Sequence, residues 1–376
     1  MSTRRSAISE PTAPIPGSYM ALMTDALLLN RHGQHQEVVV ITERVRSRIL
    51  RLPERRRSPG SELHEVLIGA TALHADSAYK LGDIEAAEAL WKTLEQLDQD
   101  KTNRWRREPI LRRIDRGEVE TGLLELNQLV QESPDDGQGW LSLTTAALKI
   151  DDIDTLEAAL ERAEPLLGDD ETDEDFAGFY FMRHKLHMRQ ERWREAVNDW
   201  YQTIELDEEW VGLNEGVVRE LLAAGEYDLA LEMLEDETNS EPVQWYYQAW
   251  IAHRRGDAVR ARYLWRKVVD VKEEDEYSLT GMKAMALCWL DRTKEALALA
   301  LEEASILHDI PRILAGALAL AWAMQGNVES ARANLTLATR QPNRIMLLDR
   351  VTWYDFDTLI RDDQIKASLR EYFDLG

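Results

Sequence analysis

Small and large apolar residues recur at fixed places around short polar turns along most of this chain. Each turn has a Gly or an acidic residue between two helix-forming runs rich in Ala, Leu, Glu and Arg. The nine turns are Gly33, Gly82-Asp83, Gly117-Glu118, Asp151-Asp152, Glu191-Arg192, Gly225-Glu226, Gly256-Asp257, Asp291-Arg292 and Gly326-Asn327. Their successive spacings are 49, 35, 34, 40, 34, 31, 35 and 35 residues. A period this regular predicts one helix-pair unit that is copied about nine times.

The apolar positions keep their register relative to these turns. Five residues after the turn stands a small residue, where two helices are expected to cross: Ala87, Gly122, Ala196, Ala230, Ala261, Ala296 or Ala331, with Val38 and Leu156 as the departures. Nine residues after the turn stands a large residue, expected to fill the groove between pairs: Trp91, Leu126, Leu160, Trp200, Leu234, Trp265 or Leu335. Another small residue precedes the turn by seven positions: Ala26, Ala75, Thr144, Ala249, Ala284 or Ala319.

These residues resemble the tetratricopeptide repeat, whose pattern runs W-x2-L-G-x2-Y, then A-x3-F, then P. The best matching segments are Trp245–Val271, Trp140–Pro165 and Tyr180–Asp207. The Leu-Gly pair of the pattern is replaced in almost every repeat, which indicates a divergent, bacterial-type member. The resemblance implies an all-α fold, a right-handed α-solenoid of about nine antiparallel helix pairs.

The repeats predict three parts of the chain. Residues 1–17 are expected to be a disordered tail, residues 18–342 the repeat solenoid and residues 343–376 a C-terminal capping segment. In that last part, an Asp-Phe-x-x-Leu turn at Asp355–Leu359 is expected to precede a short amphipathic helix that covers the last pair. Two long spacings contain loops, a basic one at residues 51–60 and an acidic one at residues 168–175.

Composition narrows the classes of function. The net charge of −24 argues against binding nucleic acid or an anionic membrane, although residues 1–60 alone carry +5 and the remainder −29. One cysteine, Cys288, excludes an internal disulfide and fits a reducing compartment. We expect a cytoplasmic protein, because the N-terminus lacks the apolar run of a secretory signal and no stretch has the length of a transmembrane helix.

Motifs for catalysis, nucleotide binding or metal binding are absent from the sequence. His184 and His187 are three apart on one predicted helix, but His184 falls at a helix-crossing position, so we interpret both as packing residues. The acidic loop lacks the ligand order of a calcium loop. We therefore expect no enzyme activity, no cofactor and no metal.

A partner would bind where the first helix of each pair lines the concave surface, at positions ten, six, three and two before each turn. These positions hold basic and aromatic residues in the central repeats of an otherwise acidic chain. The predicted partner-binding residues are Lys149, Phe181, Lys185, Arg189, Arg219, Tyr246, Trp250, His253, Arg254 and Trp289. Such a groove suits an acidic, partly apolar peptide or chain terminus. The alternative is that the Arg and Lys residues only balance neighbouring acids on the helix surface.

The sequence thus predicts a non-catalytic scaffold or adaptor that binds a protein or peptide, possibly an acidic one, in its concave groove. The alternative is a regulatory or sensor subunit of a bacterial signalling or transcription system that acts through a separate effector. An enzyme built on a solenoid would need a base that the groove does not offer. The identity of the partner and the oligomeric state stay open.

Overall fold

The computed structural model describes residues 17–167, 173–235, 241–272, 277–307, 310–341, 344–345 and 348–373. The expected tail, most of the acidic loop and several connections lie outside these ranges. Contacts between Cα atoms divide the chain into two compact units, residues 1–190 and residues 191–376, which are called unit 1 and unit 2 below.

Helices account for almost all of the regular structure in the described residues. Unit 1 contains α1 (Gly17–Arg31), α2 (His35–Leu50), α3 (Glu62–Lys80), α4 (Ile84–Leu97), α5 (Thr102–Asp115), α6 (Val119–Glu132), α7 (Gly137–Lys149), α8 (Ile153–Ala163) and α9 (Asp173–Arg189). Unit 2 contains α10 (Trp193–Leu206), α11 (Asn214–Ala224), α12 (Tyr227–Leu234), α13 (Glu241–Arg254), α14 (Ala258–Asp270), α15 (Tyr277–Trp289), α16 (Thr293–Ile306), α17 (Arg312–Met324), α18 (Val328–Thr339), α19 (Arg350–Leu359) and α20 (Asp363–Leu369). Two short strands, β1 (Arg340–Gln341) and β2 (Arg344–Ile345), pair antiparallel after α18.

All nine predicted turns are present, each between two consecutive helices. Each turn has one residue with positive φ, and it is the first residue of the turn predicted from the sequence: Gly33, Gly82, Gly117, Asp151, Glu191, Gly225, Gly256, Asp291 and Gly326. Such a residue reverses the chain and ends the first helix, and Gly adopts this conformation without a Cβ clash. The all-α helical-repeat fold predicted from the spacing of these turns is therefore confirmed.

Three turns place a residue other than Gly in the left-handed region, and Glu191 has φ 57°. We expect Glu191→Gly to raise the free energy of unfolding by about 1 kcal/mol, because Gly removes the steric cost of this conformation. The converse change, Gly256→Ala at φ 83°, is expected to lower it by about the same amount. Urea denaturation of both variants checks the sign, and a loss of stability in Glu191→Gly would contradict the interpretation.

The repeat register also describes the packing within each pair. The small residues five positions after the turns are buried in every repeat, and the large residues nine positions after the turns are buried wherever the sequence predicted one. The small residues seven positions before the turns are buried as well. Ile110, Ile114 and Leu126 of the third pair share a core with Leu143 and Ala159 of the fourth, so neighbouring pairs bury one continuous apolar layer.

Gly122 stands at the crossing position where six other repeats have Ala. A Cβ added to Gly122 would lie 2.3 Å from Cγ1 of Ile114, a buried residue of the paired helix α5. We expect Gly122→Ala to destabilise unit 1 by about 1–2 kcal/mol through overpacking. Gly178→Ala is the matched control, because Gly178 lies inside α9 with no atom within 4 Å of the added Cβ.

Gly178→Ala is expected to stabilise α9 by about 0.5–1 kcal/mol through helix propensity. Removing the obstructing atoms with Ile114→Ala should make the Gly122→Ala, Ile114→Ala double variant less destabilised than the sum of the two single variants. Denaturant unfolding of these four variants and of the unaltered chain measures the differences in the free energy of unfolding. Additive losses would show that Ile114 does not cause the effect.

The C-terminal segment departs from the expected turn and short helix. Asp355–Leu359 is helical and forms the second half of α19, because Asp349 caps that helix by accepting a hydrogen bond from the Thr352 backbone N–H at 2.9 Å. The chain then bends at residues 360–362 before α20, which Asp362 caps. Helix α20 contacts α18 of the last pair, and the role of the segment as a cap stays a prediction. Among the described residues, no helix is both long and apolar enough to span a bilayer.

Candidate binding face

Six of the ten predicted groove residues lie together in unit 2, on the first helices of its helix pairs. Arg219 is on α11, Trp289 is on α15, and Tyr246, Trp250, His253 and Arg254 are on α13. The side of α11, α13 and α15 that carries these residues, together with the side of α17 that contacts α19, is called the first-helix face. The chain's own helix α19 lies against it and contacts both α11 and α17.

Helix α19 reaches all four helices of the first-helix face. It has 10 residues and is therefore about 15 Å long. Besides its contacts with α11 and α17, it accepts hydrogen bonds from Tyr246 of α13 and Trp289 of α15.

Arg219 forms the principal charged contact between the face and the C-terminal segment. Its Nε and Nη2 atoms donate to the two carboxylate oxygens of Asp349 at 2.7 and 2.6 Å. Nη2 also donates to the Thr352 hydroxyl at 2.7 Å, and Nη1 donates to the Tyr247 hydroxyl at 2.8 Å. Tyr247 in turn donates to Glu215. This two-pronged geometry is the one in which a guanidinium binds a carboxylate most strongly.

Asp355 is the second acid of α19 that points into the face, and it is buried. Its oxygens accept a hydrogen bond from the Tyr246 hydroxyl at 3.1 Å and one from the Trp289 ring N–H at 3.2 Å. Burial also raises the pKa of Tyr246 well above its ordinary value, so this phenol remains a hydrogen-bond donor. Two aromatic donors from different helices therefore hold one carboxyl group of α19.

Tyr354 lies between these two acids in an aromatic and basic pocket. Its ring meets Trp250 edge to face, with centroids 4.9 Å apart, and the Arg254 guanidinium lies 4.6 Å from its ring centroid. Its hydroxyl is 3.0 Å from Nδ1 of His253. Behind this pocket, Trp289 stacks on Trp265 with centroids 4.5 Å apart. The aromatic and basic residues predicted as ligand anchors thus contact a tyrosine of the same chain.

The two acids of α19 have opposite pKa shifts. Burial opposes ionisation of Asp349, but the Arg219 charge and the hydrogen bonds from Arg219 and Thr352 outweigh it and lower the pKa from 3.8 to about 2. Burial dominates at Asp355 and raises its pKa from 3.8 to about 7, although the Arg219 charge and its two aromatic donors act in the opposite direction. Asp349 is therefore ionised at neutral pH, whereas Asp355 keeps its proton to a much higher pH than an ordinary carboxyl group does.

A cavity of about 210 Å³ remains between α19 and the face. Its walls include charged side chains from both sides, Glu215, Arg219 and Arg312 from the array and Asp349 and Asp355 from the segment. Its apolar walls include Met285 and Leu348. The fit of α19 on the face is consequently less complete than the packing between neighbouring helix pairs, where the core positions are fully buried.

The other four predicted residues lie in unit 1. Lys149 pairs with Asp115 at 2.9 Å and Arg189 pairs with Asp151 at 2.7 Å, each time an acid of the preceding repeat. The Lys185 ammonium lies 5.5 Å from the ring centroid of Phe181. For Lys149 and Arg189, the balancing of neighbouring acids, which the sequence left as the alternative, describes the observed contacts. Their role in partner binding stays a prediction.

Some residues of the site were not predicted from the sequence. Glu215 stands ten positions before its turn, which is one of the four predicted groove positions. It was not predicted because it is acidic, whereas the predicted residues are basic or aromatic. Tyr247 stands at none of these positions. Asp349, Thr352 and Tyr354 belong to the segment interpreted only as a cap. Their acidic and aromatic character, complementary to that of the groove, is the signal by which they could have been predicted.

Other candidate chemistry lies elsewhere in the molecule. His184 and His187 are buried in α9, in agreement with their interpretation as packing residues. The part of the chain that the structure describes contains no group of three or more His, Cys, Asp or Glu side chains placed to hold a metal ion. Cys288 is a buried thiol on α15, and burial raises its pKa to about 12, so it is not a nucleophile at neutral pH.

Among known proteins, only solved structures are similar to this chain. No protein-family model matches the chain, and no curated protein matches it. One similar structure is a tetratricopeptide repeat protein from Parabacteroides merdae ATCC 43184, with 10% identity, a TM-score of 0.41 and coverage of 81% of this chain and 97% of that one. Another is the apo form of RapI, with 11% identity, a TM-score of 0.43 and coverage of 85% and 96%.

A third similar structure is the C-terminal part of a TPR repeat-containing protein from Cytophaga hutchinsonii. It is 13% identical, has a TM-score of 0.38 and covers 69% of this chain and 97% of its own. The helix pairs of the present chain, the left-handed residue in each of its nine turns and the buried crossing positions confirm the predicted all-α array of helical repeats.

Proposed function

We propose that this protein is a non-catalytic interaction scaffold whose first helices hold an acidic segment of a partner protein or peptide. One observation carries the proposal: in unit 2, the basic and aromatic side chains of the first-helix face already hold an acidic, tyrosine-containing helix. Arg219 binds Asp349 with two hydrogen bonds, while Tyr246 and Trp289 hold Asp355. Aromatic anchors with an arginine clamp are the groups that contribute most to binding energy at protein interfaces.

The basic residues of unit 1 extend the same proposal. Lys185 and Arg189 stand at the same two offsets from their turn as Trp250 and Arg254 do from theirs. An exposed pair such as Arg189 with Asp151 contributes little to stability, so Arg189 can exchange its neighbouring acid for one of a partner. We place this role in the cytoplasm, and fractionation of the source cells tests the compartment.

Charge reversal on the first helices tests the proposal. A tagged chain with Lys185→Glu, Arg189→Glu, Arg219→Glu and Arg254→Glu is compared with the unaltered chain by affinity purification from the source cell and quantitative mass spectrometry. The recovered amount of each partner protein that binds through an acidic segment of its own is expected to fall at least tenfold with the variant, because the reversed charges repel that segment. Recovery of the same proteins in the same amounts would contradict the proposal.

A matched control separates the groove from the general charge of the protein. Arg262 and Arg266 are exposed on the second helix α14, and Arg262→Glu with Arg266→Glu is expected to leave the recovered proteins unchanged. Far-ultraviolet circular dichroism of all variants checks that the helices persist. A synthetic peptide of the acidic segment of the recovered partner is then expected to bind the unaltered chain by calorimetry, with an affinity that falls as salt rises.

A further inference from the structure

Contacts within the C-terminal segment of residues 348–373 join its beginning to its end. The rings of Trp353 and Phe356 pack on Phe373, with centroids 5.0 and 5.1 Å apart. The Leu348 backbone N–H donates to the Tyr372 carbonyl at 2.9 Å, which closes the segment on itself. Aromatic residues of α19 therefore find partners inside the segment.

The contacts of this segment with the first-helix face have a different chemistry. They include the ion pair of Asp349 with Arg219, the hydrogen bonds to Asp355, and the aromatic and hydroxyl contacts of Tyr354. The four residues Asp349, Thr352, Tyr354 and Asp355 supply these contacts, and a cavity with both charged and apolar walls remains beside them. Contacts of this kind, which have defined partners and directions, are typical of a ligand in a groove, whereas interior helix pairs of a solenoid are joined by apolar layers.

We propose that segment 348–373 is an intrachain ligand of the first-helix face of unit 2, and that the partner binds there by displacing it. The partner then presents a helix of the same chemistry: an acid at the N-cap, a hydroxyl residue three positions later, a tyrosine five positions later and a second acid six positions later. This inference rests on the proposed function and specifies the partner for that same site.

The covalent link of the segment to the array sets how strongly it competes. A ligand that is covalently joined to its binding site commonly acts at an effective concentration in the millimolar range. A free helix that binds the open face with a dissociation constant of about 10 μM therefore meets roughly a hundredfold competition from α19. Weakening α19 without altering the face should release that competition.

The ion pair of Arg219 with Asp349 can be removed from either side. The two variants lose the same contact, but their expected effects on binding of a free peptide differ. The probe is a fluorescein-labelled synthetic peptide of residues 348–373, and its binding to full-length chains is measured by fluorescence anisotropy. Asp349→Asn weakens the intrachain ligand and leaves the face intact, so it is expected to bind the probe about 10- to 100-fold more tightly than the unaltered chain. Arg219→Gln breaks the same pair on the face, so it is expected to bind the probe no more tightly than the unaltered chain.

Additional probes and variants complete the test. A probe with Asp349→Asn and Asp355→Asn is expected to lose at least tenfold in affinity for the Asp349→Asn chain. Tyr354→Phe removes only the hydroxyl near His253 and serves as a milder variant, expected to tighten probe binding a fewfold, if Asn at position 349 impairs folding. Circular dichroism monitors that folding. Equal probe affinity in the unaltered, Asp349→Asn and Tyr354→Phe chains, or tighter binding by Arg219→Gln, would overturn the proposal.

The result also separates this inference from the proposed function. Exchange of α19 between two copies of the chain would appear as a dimer of the Asp349→Asn chain in light scattering. That result would show that the face binds a second copy, and it would contradict the proposal that a separate partner binds there. If the probe binds as expected but charge reversal leaves the proteins recovered from cells unchanged, the scaffold proposal fails while the intrachain ligand stands. If the recovered partner is lost on charge reversal but probe affinities are equal, the scaffold stands and the intrachain ligand fails.

Discussion

Replacing Asp355 by Asn is expected to remove most of the pH dependence of α19 docking between about pH 4 and about pH 7. Folding raises the pKa of Asp355 from 3.8 to about 7, so the docked state binds a proton more tightly than the open state does. The stabilisation from that proton is complete below the open-state pKa and is lost as pH rises through the docked-state pKa. The free energy of opening α19 should therefore fall by about 1.4 kcal/mol per pH unit in this window, roughly 4 kcal/mol in all.

Hydrogen exchange of the α19 amides measures this free energy after correction for the intrinsic dependence of exchange on pH. In the Asp355→Asn chain, the free energy of opening α19 should be nearly independent of pH. At pH 8, the α19 amides of this variant should be better protected from exchange than those of the unaltered chain. The charged or titratable neighbours of Asp355 include Arg219, Asp349, Tyr246 and Cys288. Asp349 acts with the opposite sign, because its lowered pKa gives a stabilisation that is lost only below about pH 4. Parallel profiles for the two proteins would rule out Asp355 as the titrating group.

Arg219→Gln is expected to lower the free energy of opening α19 by about 3 kcal/mol at pH 7. The change removes both hydrogen bonds to Asp349, those to Thr352 and Tyr247, and the charge that keeps Asp349 ionised. Breaking a buried pair costs about 3–5 kcal/mol, and the lower end applies because Asp349 is partly exposed. By the factor of ten for each 1.4 kcal/mol, exchange of the α19 amides should accelerate by about two orders of magnitude.

Arg194→Gln is the matched control for this variant. Arg194 also donates to both oxygens of one carboxylate, that of Glu232 on α12, at 2.7 Å, but both side chains are about half exposed. An exposed pair of this kind contributes less than about 1 kcal/mol. A loss in Arg194→Gln as large as that in Arg219→Gln would show that burial of the Arg219 pair is not what makes it strong.

The array itself was predictable because its information is local. A left-handed residue is required wherever one helix ends in a tight turn, so Gly, or an acid in its place, marks that position in the sequence. The crossing residues keep their spacing from the turn because the geometry of a helix pair is the same in each copy. Nine repetitions made the pattern visible although single repeats such as the one at Gly122 depart from it.

The contents of the groove were predictable only in part. The offset rule selected Arg219, Tyr246, Trp250, His253, Arg254 and Trp289, which the structure brings to one face. It did not select Glu215 because that position is acidic, and it did not reveal that Lys149 and Arg189 pair with acids of the preceding repeat. Such pairs join residues of different repeats, 34 and 38 positions apart, and their geometry depends on how the repeats stack.

The sequence by itself determined the class of fold, the number of helix pairs, the turns and the basic, aromatic character of the first helices. Each of these depends on contacts within one repeat or on a rule that applies to each repeat in turn. Only the tertiary structure decided that α19 lies on the first-helix face, with Asp349 and Asp355 more than 100 residues from Arg219 and Tyr246. That placement depends on how four helix pairs stack and on the burial of one carboxyl group, and no local spacing encodes either of them.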